Sequence, residues 1–359
     1  MTGRERLNAV MHKEPVDRLS WTTLVDSNTL DNLPGELRGI SAIDFYRHIG
    51  CDILMLNGWA TPHGFNSPKL EWGPEAQTTH WSENGRRFTE TQTPNGTLKS
   101  VSRKSHPIKY PVETIEDVRI YRELWEGAAF AEADDRPSFD AVNELIEDDG
   151  IVTRFWGPST IPRLLEFEMG TENFYYLLHD YPHEMEELIA LMHERELVAF
   201  EILGRGPCEV VMLVENTSTY YIGPHIYRHF NGPHVKDFVD TIHDAGKVPI
   251  IHMCGHVVDI LPDIEQTGLD GVHALTPPPT GNTPWENALD VLGEDAVIIG
   301  ALDPSIFISG PVENIGSQLD ALYTPRLRNA NFVLGPFADG IPVPLERFLA
   351  ISEWMARNS

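Results

Sequence analysis

Cysteine is scarce in this chain of 359 residues, which contains only Cys51, Cys208 and Cys254. A small, odd number of thiols in a long chain is unlike a disulfide framework, which pairs cysteines densely in small secreted domains. We therefore expect free thiols in a reducing compartment, so that each thiol has to be assessed by its own surroundings. Cys51 and Cys208 precede predicted strands and are expected to be inert.

Basic residues are also in short supply. The chain has 27 Lys and Arg against 54 Asp and Glu, which gives a formal net charge of −27. Such a surface repels phosphate backbones and anionic lipid headgroups. We therefore expect no nucleic-acid partner and no membrane partner.

Long apolar runs are absent as well. No stretch approaches the roughly 18 consecutive apolar residues that a membrane-spanning helix needs, and no apolar signal region follows the charged N-terminal segment. With 41% hydrophobic residues, the chain still has ample material for a core. We expect a cytoplasmic protein.

The sequence does contain a regular alternation of short apolar runs and amphipathic segments. The runs begin after Asp, Gly or Pro and end at a polar residue, as strands buried on both faces do. Helical apolar spacing fills 182–205, 223–246 and 257–268 between the later runs. Eight such units predict an α/β fold, a (β/α)8 TIM barrel formed by residues 1–359 as a single domain. The predicted strands are 18–25, 52–58, 150–157, 209–216, 248–254, 270–275, 296–302 and 331–336.

Residues 60–135 interrupt this alternation. Within them, 86–104 alternates in polarity on either side of Asn95-Gly96, a dipeptide that strongly favours a β-hairpin with a primed turn. We predict an inserted subregion of hairpin and helix after the second barrel strand, where it covers one rim.

Polar residues mark the predicted strand ends, which in a parallel barrel converge on the catalytic face. These residues are Asn57, Trp156, Glu215 with Asn216, His252 with Cys254, His273, Asp303 and Asp339. Five of the eight ends thus offer a carboxylate, an imidazole or a thiol, which are the groups that bind metal ions.

His252 and Cys254 carry the sharpest chemical signal. A spacing of two returns both side chains to the same side of a strand, so one ion can contact both. Imidazole with thiolate suits zinc, and a catalytic zinc takes three protein ligands and keeps one position open. We expect Gly255 to let the backbone turn sharply behind the pair. A metal site, a reactive thiol and a buried strand end all remain possible from these residues alone.

The surrounding segment 248–275, VPIIHMCGHVVDILPDIEQTGLDGVHAL, resembles the metal-binding stretch of the uroporphyrinogen decarboxylase superfamily, specifically its methylcobamide methyltransferase branch. Residues 4–20, 168–189 and 331–353 are similar to other parts of that family. The resemblance implies a (β/α)8 barrel in which His-x-Cys-Gly holds zinc. It also implies that the zinc activates a nucleophile, usually a thiol, against a methylated corrinoid.

The chain departs from that branch after its last predicted strand. The branch has a ligand cysteine in a segment like Gly-Pro-Gly-Cys, whereas residues 335–339 read Gly-Pro-Phe-Ala-Asp and no cysteine remains. The third ligand is therefore open, with Glu215 first and His273 and Asp339 next. An oxygen ligand in place of sulfur makes zinc a stronger Lewis acid, which favours chemistry on an ether or alcohol oxygen.

The resemblance thus implies a zinc-dependent methyltransferase that moves a methyl group between a small-molecule donor or acceptor and a corrinoid, methylcobalamin in type, held by a partner protein. Glu215 and Asp303 are the expected catalytic residues. The residues expected to bind the corrinoid are Trp156, Asn216, Tyr221 and Thr276.

Two alternatives belong to other classes. One is a metal-independent decarboxylase or lyase with Asp303 or Asp339 as its acid, and the other is a non-catalytic barrel that binds a corrinoid. Decarboxylation of uroporphyrinogen itself is not expected. Residues 18–39 lack the paired arginines with which that branch of the family grips its carboxylate-rich substrate.

Overall fold

The computed structural model describes residues 1–104 and 106–358, and its core is a curled sheet of eight parallel strands. The order in space is β1-β14-β13-β12-β11-β10-β9-β2, as a barrel requires, and the predicted (β/α)8 TIM-barrel class is confirmed. All eight predicted strands are present, although β1 keeps only two residues. The fourteen strands of the described part are β1 Ser20–Trp21, β2 Ile53–Leu56, β3 Lys69–Glu71, β4 Gln77–Glu83, β5 Arg86–Thr93, β6 Gly96–Arg103, β7 His106–Lys109, β8 Ala129–Ala131, β9 Gly150–Trp156, β10 Val210–Val214, β11 Val248–His252, β12 Gly271–Leu275, β13 Val297–Ala301 and β14 Phe332–Gly335.

Helices surround the sheet, and α8 packs on both α4 and α10. The predicted helical segment 223–246 forms α9 and α10, which are continuous through a π-helical turn at Tyr227–Asn231. No helix in the described ranges combines the length and the apolar character that crossing a bilayer requires. The α-helices are α1 Gly3–Met11, α2 Ser27–Leu30, α3 Ala42–Ile49, α4 Ile115–Glu126, α5 Arg136–Ile146, α6 Thr160–Arg163, α7 Gly170–Asp180, α8 Pro182–Arg205, α9 Pro224–Ile226, α10 Gly232–Asp244, α11 Leu261–Glu265, α12 Trp285–Leu292, α13 Pro304–Phe307, α14 Ile315–Leu322 and α15 Leu345–Asn358.

The barrel interior is filled from one end. Leu7, Val10 and Met11 of α1 pack against inward-facing residues of the strands, such as Ile250 and Ile299. A second and larger apolar layer separates the strands from the outer helices. Since α1 closes the end at which the strands begin, the end at which they finish remains available for a ligand.

The junction between β1 and β2 has no backbone ladder among the described residues. One backbone bond, from Asp52 N to Trp21 O at 2.9 Å, joins the two chain segments there. The buried carboxylate of Asp52 adds three contacts: Arg6 at 2.6 Å, Ser20 at 2.7 Å and Arg18 at 3.1 Å. Side chains therefore close the barrel at this point.

Replacement of Arg6 tests this closure. Arg6→Met leaves the buried Asp52 with less compensation, and we expect a loss of about 3 kcal/mol in the free energy of unfolding, measured by urea denaturation. The control is Arg47→Met, which removes an exposed ion pair with Asp149 and is expected to cost less than about 1 kcal/mol. Equal losses in the two variants would contradict the assigned role.

The insertion contains an antiparallel sheet of four strands, β4-β5-β6-β7, beside the antiparallel pair β3-β8 and helix α4, and the predicted hairpin is its β5-β6 pair. The predicted turn type was wrong. Thr93 pairs with Gly96, so Pro94-Asn95 forms the loop, and proline holds φ negative where a primed turn needs a positive value. Positive φ values occur instead at Asn84-Gly85, between β4 and β5.

Candidate active site at the open end of the barrel

A cavity of about 360 Å³ lies where the barrel strands end. Its walls are mostly apolar, with Trp59, Phe155 and Phe337 among them. A polar cavity of about 380 Å³ beside Arg154 contains none of the predicted site residues. The predicted residues that line the first cavity are His252, Cys254, His273, Thr276 and Asp339.

His252 and His273 are directly opposite each other in the β11-β12 register. Their Nδ1 atoms are 2.8 Å apart, so one ring donates a hydrogen bond to the other. Burial lowers the pKa of His252 to about 4, and burial together with His252 holds the pKa of His273 well below its usual range. Both rings are therefore neutral near pH 7. His273 Nε2 is buried and has no hydrogen-bond partner among the described residues.

A register irregularity in β12 turns the residues that follow His273 towards the cavity. The register with β13 shifts between His273 and Leu275, and Ala274 has a φ of 63°, a value that is strained for a residue with a side chain. As a result, Ala274 and Thr276 face the cavity together with His273, while Leu275 stays in the core. The strain is thus localised beside the histidine pair.

Cys254 follows β11 and is reachable from the cavity. Its apolar surroundings and the carboxylates of Glu166 and Asp339 raise the pKa of the thiol. A thiol of this kind is protonated at neutral pH unless a cation binds it. The environment therefore argues against an unaided reactive thiolate.

The chain bends at Gly255 as expected, but its φ is not positive, and a close approach explains why the residue is glycine. A Cβ at this position would lie 2.4 Å from Ser218 Cβ and 2.7 Å from Thr217 O. The same loop accepts a hydrogen bond from His256 N at Ser218 Oγ, at 3.1 Å. Glycine thus allows the two loops behind Cys254 to touch.

Glu215, the first choice for a third ligand, does not line the cavity. It is fully buried and accepts hydrogen bonds from Ser159, from Thr217 at 2.9 Å and from Asn231 at 2.9 Å. Burial raises the pKa of Glu215 to about 7, although these hydrogen bonds favour the charged form. Its backbone N–H donates to His252 O at 3.1 Å, so this segment supports the histidine from behind.

Asp303 is likewise buried behind the cavity wall. Its carboxylate caps α13 through Ser305 N and accepts from Thr280 N, each at 2.8 Å. Burial opposes ionisation, but these hydrogen bonds outweigh it and lower the pKa of Asp303. A carboxylate stabilised in this way fixes the loop 276–283 and is a poor proton donor.

The remaining predicted residues surround the site at greater distance. Trp156 packs edge-on against Phe130 and Phe200, with ring centroids 5.8 Å apart in each case, and does not line the cavity. Tyr221 donates a hydrogen bond to Asn216 O, and Asn216 Nδ2 lies 3.3 Å from Glu166. These contacts order the loop after β10.

Sequence reasoning missed the aromatic wall of the cavity. The rings of Phe337 and His273 are tilted, with their centroids 4.7 Å apart, but in this segment only the missing cysteine and Asp339 were considered. Phe155 directly precedes Trp156, the last residue of β9 and the one predicted to bind the corrinoid. A strict alternation of inward and outward residues along β9 would have separated these two.

A family model described as uroporphyrinogen decarboxylase matches residues 156–343, which is more than half of the chain. The chain belongs to the uroporphyrinogen decarboxylase family. The family resemblance inferred from residues 248–275 is therefore confirmed.

Two of the proteins to which the chain is similar are methyltransferases. Methylcobamide:CoM methyltransferase MtbA of Methanosarcina acetivorans is 21% identical over 318 residues, which cover 88% of this chain and 86% of that protein. A methyltransferase from Methanosarcina mazei matches the structure with a TM-score of 0.62 at 14% identity, over 99% of both chains. At 14% identity, the match to the Methanosarcina mazei structure supports the fold alone.

The donor set of this uroporphyrinogen decarboxylase family member suits zinc in chemistry. No group of three or more His, Cys, Asp and Glu is arranged around one point in the described residues. Two nitrogen ligands of a tetrahedral zinc lie about 3.3 Å apart. The 2.8 Å between the Nδ1 atoms of His252 and His273 thus needs only a small separation. Two neutral imidazoles and a thiol that line one cavity are the donor types that zinc prefers.

The contact behind Cys254 can be tested with Gly255→Ala. The added Cβ forces the loop at Thr217 and Ser218 away, so we expect a loss of about 1–3 kcal/mol in the free energy of unfolding. Thermal or urea unfolding measures it. Gly64→Ala is the matched control, because nothing lies within 4 Å of a Cβ there and its φ is not positive. An unchanged stability for Gly255→Ala would refute the close approach.

Proposed function

We propose that this protein is a zinc-dependent methyltransferase that moves a methyl group between a corrinoid and a small molecule. The observation that carries the proposal is the convergence of His252, Cys254 and His273 on one cavity at the open end of the barrel. Similarity to a methylcobamide methyltransferase over 88% of the chain supports the reaction class.

The geometry favours His273 over Glu215 as the third zinc ligand. His273 contacts His252 through Nδ1 and lines the cavity, whereas three donors occupy Glu215, which does not line it. Asp339 is the one remaining predicted ligand that lines the cavity. His252, Cys254 and His273 would therefore hold the ion, with Asp339 as the alternative oxygen ligand.

Bound zinc would supply a Lewis acid that lowers the pKa of a thiol or polarises an oxygen of the substrate. The chain's own residues prepare the site for this chemistry. Apolar walls exclude water, and the neutral histidines have a free electron pair to donate. Asp339 lines the cavity, its pKa is raised first by burial, and it would accept the proton of an incoming acceptor.

The size of the cavity indicates that it holds the small molecule and not the corrinoid. A volume of about 360 Å³ is at the lower end of the range for small-molecule sites. It suits a small methyl donor or acceptor, and it is too small to enclose a corrinoid. The corrinoid would then be presented at the cavity mouth by its carrier protein, near Asn216 and Tyr221, with Thr276 lining the interior.

Metal analysis tests the ligand set. We expect about one zinc per chain in protein purified without chelator, measured by mass spectrometry of the metal content. Cys254→Ala and His273→Ala should lose the zinc, because each removes one of three ligands. Glu215→Gln should retain it, since the amide keeps the size of a side chain outside the cavity.

The opposite pattern would overturn the assignment. Zinc lost in Glu215→Gln and kept in His273→Ala would restore Glu215 as the ligand. Wild-type protein that binds no zinc would reject the proposal and leave the metal-independent lyase and the non-catalytic corrinoid binder.

Methyl transfer itself can be followed by the absorbance of methylcobalamin with coenzyme M, other small thiols and methanol as acceptors. Transfer in reverse can be followed from methyl ethers and methyl thioethers to cob(I)alamin. We expect turnover with one of these classes of methyl acceptor or methyl donor. His252→Ala should lower kcat/KM for that reaction by about 100-fold or more. Tyr176→Phe, on an exposed outer helix, should leave the rate unchanged. Equal rates in His252→Ala and wild type would exclude the site.

A further inference from the structure

The inserted sheet β4–β7, residues 77–109, concentrates positive charge in an otherwise acidic chain. It holds six of the 27 Lys and Arg but only two of the 54 Asp and Glu, and we call it the basic sheet. Lys99 pairs with Glu90, and Lys109 pairs with Glu113. The basic residues of the sheet that are exposed and have no ion pair within the described ranges are Arg86, Arg87, Arg103 and Lys104.

One face of the basic sheet forms an open groove of about 540 Å³. Arg87, Lys104 and Lys109 border it, and small Ser and Thr side chains form its floor. Phe167 lies at its edge with 48% of its surface exposed. Arginine and an exposed aromatic ring are the residue types that protein interfaces favour.

The basic sheet stands beside the cavity mouth. It is inserted after β2, so it rises from the end at which the barrel strands finish. Its last strand leads to Val112, whose N–H donates to Glu168 O at 3.0 Å. The turn Leu164–Glu168 directs Phe167 to the groove and Glu166 towards Asn216. One short turn therefore links the groove to the loop after β10, where Asn216 N donates to His252 O at 3.1 Å.

We infer that the basic sheet is the docking surface for an acidic face of the protein that carries the corrinoid. This inference rests on the function proposed above, which requires a carrier at the cavity mouth. Unpaired cations beside that mouth attract a carboxylate-rich surface and align it before contact.

A folded acidic protein fits the sheet better than a nucleic acid does. Nucleic acids carry charge along their whole length. A strand that ran off the sheet would meet the acidic remainder of the chain, which holds all but two of the 54 Asp and Glu. A protein can confine its carboxylates to a patch of matching size.

The test uses methylcobalamin coupled through its ribose hydroxyl to an oligoglutamate peptide, compared with the same coupling to a Ser-Gly peptide of equal length. We expect the glutamate conjugate to have a KM at least about fivefold lower at low ionic strength, with equal kcat. The advantage should disappear near about 0.5 M salt, where surface charges are screened.

Variants locate the effect. Arg87→Glu with Lys104→Glu should abolish the preference for the glutamate conjugate and leave turnover of free methylcobalamin unchanged. The matched control reverses Lys236 and Arg357, which are exposed on α10 and α15, and should keep the preference. Anisotropy of a fluorescein-labelled oligoglutamate, measured on the same proteins, reports docking independently of catalysis.

The outcomes separate the two proposals. No turnover of methylcobalamin, with oligoglutamate still bound at the basic sheet, would reject the methyltransferase and with it the corrinoid carrier as the partner, and would keep only a docking surface for an acidic protein. Turnover with equal KM for both conjugates would reject the docking surface alone. The docking surface would also be rejected if a labelled single-stranded oligonucleotide bound the basic sheet as tightly as the labelled oligoglutamate does. Sedimentation of the wild type could instead detect self-association. If Arg87→Glu with Lys104→Glu removed it, the basic sheet would be assigned to contact with a second copy of this chain.

Discussion

The contact between His252 and His273 is the constraint on which the site depends. It exists because β11 and β12 are parallel neighbours whose register places the two residues side by side. A slip of one residue would send one ring to the opposite face of the sheet and separate the nitrogens. Two strands of ordinary apolar sequence, Val248–His252 and Gly271–Leu275, thus fix two imidazoles at the barrel mouth.

Much of the surrounding structure keeps this pair in place. The carboxylate of Asp303 ties a loop to α13, and the Glu215 segment binds the backbone of His252. Gly255 lets another loop approach behind Cys254. Imidazoles and a thiol therefore face the cavity, while two buried carboxylates order the chain around it.

The barrel was predictable because its signal is a repeated physical pattern. Each buried strand must be apolar on both faces, and each outer helix must be apolar on one. The hairpin was predictable from alternating polarity, but its turn was not, because Pro94 overrides the preference of Asn95-Gly96. Asn84-Gly85 carried the same signal and was overlooked, so β4, which this turn joins to β5, was missed.

The site was only partly predictable, for a different reason. A polar residue at a strand end can face the cavity or turn behind it, and spacing along one strand does not decide between these. His252 and Cys254 share a strand segment, so their common direction followed from the two-residue period. Glu215 and His273 belong to other segments, and it is the register of β12 against β11 that brings His273 beside His252. The sequence does not specify that register.

The side-chain junction between β1 and β2 has a mechanical consequence. A ring closed entirely by backbone hydrogen bonds has a fixed circumference. A sheet whose two edges are joined through Asp52 and its arginines can change circumference by rearranging a few side chains. Such a barrel widens or narrows at one place, and the amide hydrogens along that join exchange with water before those of the seven laddered junctions.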